Sequence, residues 1–204
     1  NIEVFERAGV DYVVADCAAC GAQTKEYAHL LREDPLYAER ARAFSAKVRD
    51  VSEFLAAIPL RRPLGEVRRR VAYHDPCHLA HAQGVREAPR ELLRRVPGLE
   101  LVELDEADWC CGSAGIYNIS HPERARSILD RKLANVAASG AEVLATGNPG
   151  CLLQLMSGAR EKGMAVAVHH PIEMLALAYR EGVGEELAPA VSARVREAHG
   201  TAPY

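Results

Sequence analysis

The chain has 204 residues, of which 49% are hydrophobic, and its formal net charge is −3. This length can bury a full core, as one large α/β domain or as two smaller lobes. The slightly acidic balance gives no electrostatic footprint for nucleic acid, and no apolar run approaches the roughly 18 residues that cross a bilayer. Six cysteines are too few for a disulfide scaffold of this size, so we expect a reduced, cytosolic protein with metal-binding or redox thiols.

Short apolar runs alternate with helical patterns along the chain. This alternation predicts a parallel, doubly wound (Rossmann-like) α/β sheet with right-handed crossovers. Ser120, followed by Pro122 and Glu123, has the form of a capping box at the start of a helix. We predict strands over 11–15, 67–73, 99–104, 143–146 and 164–168. We predict helices over 2–8, 22–32, 36–46, 47–57, 86–96 and 121–139, one ending near 162, one containing 172–179, and a weak one over 185–198.

The sequence also contains an internal repeat. Residues 9–20 align without gaps on 140–151, and residues 52–55 match 172–175 at a shorter offset, so the first copy carries an insertion. A duplicated α/β module whose first copy is truncated is the simplest account. The predicted divisions are the C-terminal part of a first module over 1–62, a complete second module over 63–184 and a tail over 185–204.

The cysteines fall where predicted strands end and helices begin. In open parallel sheets this edge binds ligands, so the thiols can converge on a metal or iron-sulfur site, helped by the unpaired amides of helix N-termini. Zinc sites usually take C-x2-C pairs, whereas adjacent cysteines more readily serve different irons of one cluster, unless the backbone turns sharply. This favours iron-sulfur over zinc and leaves zinc open. The candidate ligands are Cys17, Cys20, Cys77, Cys110, Cys111 and Cys151.

Other interpretations fit the pattern less well. The loop 112–115 could cradle a phosphate, but no G-x-G-x-x-G or Walker pattern is present. A thiol-disulfide oxidoreductase could use Cys17 and Cys20, but this leaves four thiols unexplained. A zinc-stapled interaction module without a redox role is the strongest rival. His74 and His78 bracket Cys77 and could act as ligands or as hydrogen-bond donors to sulfur.

Three motifs together carry a family resemblance: His-Asp-Pro-Cys-His at 74–78, Cys-Cys-Gly-Ser-Ala-Gly-Ile-Tyr-Asn at 110–118 and Gly-Asn-Pro-Gly-Cys at 147–151. Their spacing resembles the cysteine-rich CCG module that is found twice in one of the subunits of heterodisulfide reductase. The motifs are more similar still to those of the iron-sulfur subunit of bacterial glycolate oxidase. The resemblance covers about residues 1–182.

The resemblance implies an electron-transfer subunit without catalytic residues of its own. Its implied partners are FAD-containing glycolate oxidase subunits that oxidise the 2-hydroxy acid, an N-terminal ferredoxin-like domain that this sequence lacks, and a quinone reached indirectly. No nucleic-acid partner is expected. The implied location is cytoplasmic, with peripheral contact to the inner membrane through the complex.

The resemblance also implies the ligand set. Cys77, Cys110, Cys111 and Cys151 would hold the centre, while Cys17 and Cys20 would complete the partial upstream module and carry no metal here. Asn148 stands where the first cysteine of the last pair would be. Four thiols remain, enough for a cubane 4Fe-4S cluster, a modified cluster or zinc.

Overall fold

A computed structural model describes residues 1–60 and 64–183 as an α/β protein in which every strand pairing is parallel. The strands are β1 (Val13–Ala15), β2 (Val48–Asp50), β3 (Arg69–Tyr73), β4 (Leu99–Val102), β5 (Val143–Ala145) and β6 (Ala167–His169). The helices are α1 (Ile2–Ala8), α2 (Ala18–Lys25), α3 (Tyr27–Leu30), α4 (Ala38–Lys47), α5 (Val51–Ala56), α6 (Glu87–Arg94), α7 (Tyr117–Ser120), α8 (Pro122–Ser139), α9 (Pro149–Glu161) and α10 (Pro171–Val183). A π-helical turn covers His78–Ala82.

The larger sheet has the strand order β4-β3-β5-β6, and the smaller sheet pairs β1 with β2. In the larger sheet the chain first moves outward from β3 to β4 and then returns to the other side of β3 with β5. This reversal creates a topological switch point between β3 and β5, the place where doubly wound sheets bind ligands.

Alternate residues of the central strands face two separate helical layers. Ala72 and Leu144 pack in one cluster with apolar side chains of α8 and α9. Val71, Tyr73 and Val143 pack in the other with side chains of α6 and α10. Burial on both faces explains why these strands are continuous apolar runs, and it confirms the predicted parallel, doubly wound fold class.

The internal repeat corresponds to a repeated structural order. The order β1, α2, β2, α5 in the first copy matches β5, α9, β6, α10 in the second. The strand register agrees as well, because Val13 pairs with Val48 as Leu144 pairs with Val168. Helices α3 and α4 lie between α2 and β2, the part of the first copy that contains the insertion. The division into two modules and a tail stays a prediction.

Two local predictions are wrong. The predicted helix 47–57 is a short strand, β2, followed by α5, because Asp50 caps α5 with its carboxylate and ends the extended segment. Ser120 does not cap α8, since its hydroxyl donates to the Ile116 carbonyl oxygen within α7. The weak helix over 185–198, and Arg61, Arg62 and Pro63 of the predicted turn, lie outside the described residues.

Within residues 1–60 and 64–183, no helix is both long and apolar enough to span a membrane.

Candidate metal centre

Three loops bring cysteines to the carboxyl edge of the larger sheet. Cys77 follows β3, Cys110 and Cys111 lie in the loop after β4, and Cys151 lies in the first turn of α9 directly after β5. Because β3 and β5 are adjacent in the sheet, Cys77 and Cys151 flank the topological switch point. The fold therefore gathers thiols that are up to 74 residues apart in sequence.

The thiols surround one cavity of about 280 Å³. Five of the six cysteines line it, and all six are free of disulfide bonds. Cys111 and Cys151 are buried, whereas Cys20 is exposed and lies off the cavity. The lining residues are Cys17, Ala19, Cys77, His78, Cys110, Cys111, Ser113, Ala114, Gly115, Asn148, Gly150 and Cys151.

A sharp turn at Gly112 allows both adjacent cysteines to face the cavity. Gly112 has φ of +91°, a left-handed conformation that favours glycine. A Cβ atom at this position would lie 2.5 Å from the carbonyl oxygen of Ala125 in α8. The sharp backbone turn, the exception to the argument from adjacency, is therefore present in this loop. The adjacency of Cys110 and Cys111 no longer favours iron-sulfur over zinc.

Each of the four thiols that the resemblance implies as ligands has a nitrogen neighbour. The backbone N–H of Gly112 donates to Cys110 Sγ at 3.3 Å, and the N–H of Ser113 donates to Cys111 Sγ at 3.5 Å. The other two contacts come from side chains: Asn148 Nδ2 donates to Cys151 Sγ at 3.4 Å, and His78 Nδ1 lies 3.4 Å from Cys77 Sγ. Such donors stabilise thiolate charge, free or metal-bound.

Without metal, most of these thiols hold their protons strongly. Burial raises the pKa of Cys77 above its usual 9.0, and the contact with Cys111, together with burial, raises the pKa of Cys110. The contact with Cys110 lowers the pKa of Cys111, but its contact with Cys151 and its burial outweigh this and raise that pKa to about 12. Cys151 is the exception, because the hydrogen bond from Cys111 lowers its pKa. Four crowded thiols thus need a cation to ionise together.

Asn148 joins the two halves of the chain at the cavity. Its side-chain oxygen accepts from the backbone N–H of Ala19 at 3.2 Å and lies 3.8 Å from Cys17 Sγ. Cys17 therefore lies beside the cavity of the second half, whereas Cys20 faces solvent. The two cysteines contact each other, but only Cys17 reaches the cavity. Their predicted metal-free state stays a prediction.

His74 follows β3 and is only 1% exposed. Within the described part of the chain neither of its ring nitrogens has a hydrogen-bond partner, and burial lowers its pKa to about 3. A ring nitrogen of His74, Cys111 Sγ and Cys151 Sγ all lie within 4.8 Å of one another. These are the donor atoms that zinc or iron takes in proteins.

Two further buried groups support the cavity, and neither was predicted. Asp75 forms a two-pronged ion pair with Arg90 of α6, with distances of 2.7 and 2.6 Å. Lys132 of α8 is fully buried, and its ammonium donates to the carbonyl oxygens of Glu106 and Ala107 in the loop before Cys110. Lys132 could have been found from spacing, because it lies three residues after the apolar Leu129 on the buried face of α8.

The local geometry disfavours two alternatives. A phosphate cradle at 112–115 would need outward-facing amides, but the N–H groups of Gly112 and Ser113 already donate to sulfur. A redox pair of Cys17 and Cys20 would leave the other four thiols, which line the same cavity as Cys17, without a role.

The fold and the cavity define a cysteine-rich α/β protein with a candidate thiolate metal centre. The family model of the cysteine-rich CCG domain matches residues 71–156, which include four of the five cysteines on the cavity. These four are the set that the motif resemblance implies as ligands.

Curated relatives match more of the chain. The probable glycolate oxidase iron-sulfur subunit of Bacillus subtilis is 42% identical over 167 residues, covering 81% of this chain and 38% of the relative. Lactate utilization protein A of Oceanobacillus iheyensis is 35% identical over 84% of this chain and 70% of the relative. The glycolate oxidase iron-sulfur subunit of Escherichia coli is 34% identical over 82% of this chain and 40% of the relative.

The chain belongs to the CCG cysteine-rich family that includes lactate utilization protein A and the glycolate oxidase iron-sulfur subunits. It spans about two fifths of the length of the glycolate oxidase subunits and about 70% of lactate utilization protein A.

Proposed function

We propose that this chain is part of an electron-transfer subunit of a 2-hydroxy acid oxidase complex and that it holds an iron-sulfur centre. The convergence of Cys77, Cys110, Cys111 and Cys151 on one cavity is the observation that carries the proposal. The names of the relatives, glycolate oxidase iron-sulfur subunit and lactate utilization protein A, support the substrate class.

The residues present fit such a centre. Iron-sulfur clusters are held by cysteine thiolates, and four free thiols with nitrogen neighbours meet that requirement. When bound, the cluster supplies one-electron transfer. The chain's own residues would hold it. The burial of Cys111 and Cys151 would shield it from solvent, and hydrogen bonds to sulfur would adjust its reduction potential.

In the proposed reaction a FAD-containing partner converts the 2-hydroxy acid to the 2-oxo acid. The two electrons pass singly through this subunit to a quinone, which takes up two protons and becomes the quinol. Glycolate is the proposed substrate, with lactate as the rival that the second group of relatives suggests. The 4Fe-4S type, the FAD partner, the quinone and a cytoplasmic, membrane-peripheral location belong to this proposal.

Metal analysis of an anaerobic preparation, set beside an aerobic one, tests the centre directly. We expect iron and acid-labile sulfide in the anaerobic protein and their loss in Cys110→Ser. Cys20→Ser is the matched control, because Cys20 is exposed and lies off the cavity, and it should keep its iron. In the complex, Cys110→Ser should block acceptor reduction while substrate still reduces the partner's flavin. Normal acceptor reduction in that variant would exclude the relay role.

A zinc-stapled interaction module is the second candidate, and one observation favours it. Tetrahedral zinc with Zn–S bonds of about 2.3 Å places its ligand atoms about 3.8 Å apart. The donor atoms of His74, Cys111 and Cys151 lie within 4.8 Å of one another, a spacing suited to a single ion. A colourless anaerobic protein with stoichiometric zinc and no iron would support this function and overturn the first.

A further inference from the structure

The His74 imidazole is a buried polar group without a partner in the described chain. Both ring nitrogens are unpaired, and the residue is 1% exposed. The carbonyl oxygen of Ala107, which faces the ring, already accepts from the backbone N–H of Asp75 at 2.9 Å and from the Lys132 ammonium at 3.2 Å. Leaving a buried polar group unpaired is unfavourable, so native proteins nearly always provide a partner.

The missing partner lies in the direction of the thiols. One ring nitrogen of His74 lies within 4.8 Å of both Cys111 Sγ and Cys151 Sγ. A metal atom between them would need ligand atoms about 3.5–4 Å apart, so a small contraction brings all three donors onto one atom.

Hydrogen bonding to sulfur is a weaker explanation for the ring. Cys111 Sγ already accepts from the N–H of Ser113, and Cys151 Sγ already accepts from the Asn148 amide. Both sulfurs therefore already have a donor, so coordination of a metal explains the unpaired ring better.

We propose that His74 is a nitrogen ligand of the metal centre and binds the metal atom that Cys111 and Cys151 approach. The proposal deepens the proposed function and rests on its claim that the cavity holds a metal centre. It changes the protein ligand set from thiolates alone to thiolates plus one imidazole. His78, the other histidine beside the thiols, is the matched control, because its ring lies at the cavity next to Cys77.

The experiment uses the full chain labelled with ¹⁵N-histidine, purified without oxygen and analysed for iron and zinc. If iron is bound, pulsed EPR of the paramagnetic state should show ¹⁵N coupling in the wild type and in His78→Gln, but not in His74→Gln. If zinc is bound, X-ray absorption should show imidazole scattering in the wild type and in His78→Gln, but not in His74→Gln. His74→Gln should also lose metal to a chelator at about 10- to 100-fold lower chelator concentration.

Different results would overturn the proposed ligand role of His74 and the proposed iron-sulfur function. Bound metal without nitrogen coupling in the wild type, or coupling that persists in His74→Gln or disappears in His78→Gln, would overturn the ligand role alone. Zinc with an imidazole signal would overturn the iron-sulfur function and retain His74 as a ligand, whereas absence of any metal would overturn both. If His74→Gln does not fold, the spectra of the wild type and of His78→Gln still decide between the two histidines.

Discussion

The side-chain amide of Asn148 donates to Cys151 Sγ over 3.4 Å while its oxygen accepts from the N–H of Ala19 over 3.2 Å. One side chain thus connects the first turn of α9 to the first turn of α2. Asn148 is also the N-cap residue of α9, yet it makes no capping hydrogen bond to its own helix. Giving up a cap costs about 1 kcal/mol. The amide instead stabilises a sulfur and a contact between the two halves of the chain.

Replacement of Asn148 by alanine should shift the reduction potential of the centre to more negative values. A hydrogen bond to a metal-bound thiolate stabilises the more negative, reduced state, and losing about 1 kcal/mol corresponds to a shift on the order of 40 mV for one electron. An EPR-monitored redox titration measures it. Asn118→Ala is the control, because Asn118 bonds Gln154 and no sulfur. Equal potentials in Asn148→Ala and wild type would show that the amide does not influence the centre.

Metal binding should release protons. The pKa values of Cys77, Cys110 and Cys111 are raised above 9.0 without metal, so these thiols are protonated at pH 7 and must ionise to bind. Zinc titration of the metal-free chain should therefore release at least these three protons, and the affinity should increase steeply with pH. Calorimetry in buffers of different ionisation enthalpy counts them. Release of fewer than two would indicate that thiolates exist before metal arrives.

The same raised pKa values predict the opposite pH dependence for stability of the metal-free chain. A thiol whose pKa is higher in the folded state than in the unfolded state stabilises the fold below the unfolded value and loses that contribution as pH rises through the folded value. Urea unfolding should show stability falling from about pH 9 upward. Cys111→Ala should flatten the decline, because the pKa of Cys111 is raised to about 12. An unchanged slope would mean that other groups cause the decline.

The sequence was sufficient to predict the parallel fold and the gathering of thiols. Apolar runs buried on both faces identified β3 and β5, and the carboxyl ends of adjacent parallel strands necessarily share one edge. The sequence pattern could not identify β2, because Val48–Asp50 is only three residues long and follows directly on α4. The repeat contained the missing signal, since the offset of 120 places Val48 opposite Val168 in β6.

Side-chain chemistry within the cavity was less accessible from sequence. The local motif does not reveal that Asn148 bonds across to α2, because that contact depends on the packing of two halves far apart in the chain. The sequence indicated a sharp turn at Gly112 only as an exception. The requirement for glycine there arises from the close approach of the Ala125 carbonyl oxygen, which is a tertiary contact. His74 was recognised as a candidate, but its burial without a partner is a tertiary property.

Gly112→Ala should destabilise the protein and disturb the centre. The new Cβ would lie 2.5 Å from the Ala125 carbonyl oxygen, and φ of +91° is unfavourable for alanine, so we expect a loss of about 3 kcal/mol. Gly115→Ala is the matched control, with φ of +65° and no atom of the described residues within 4 Å of the new Cβ, and should cost about 1 kcal/mol. Urea unfolding of the metal-free proteins measures both. Similar losses would show that strain, not the contact with α8, sets the requirement for glycine.

Asp75→Asn should destabilise the chain because it removes the negative charge that pairs with the Arg90 guanidinium. The Asp75 side chain is 4% exposed and that of Arg90 is 20% exposed, and the guanidinium also lies 5.0 Å from the centre of the Tyr73 ring. Removing one member of a buried pair costs about 3 kcal/mol or more. Glu87→Gln is the control on the same helix, because its pair with Arg94 is exposed at 3.7 Å and should contribute less than about 1 kcal/mol. Since Asp75 lies two residues before Cys77, metal retention in Asp75→Asn should decrease as well. Unchanged stability with reduced metal retention would instead assign Asp75 to the centre alone.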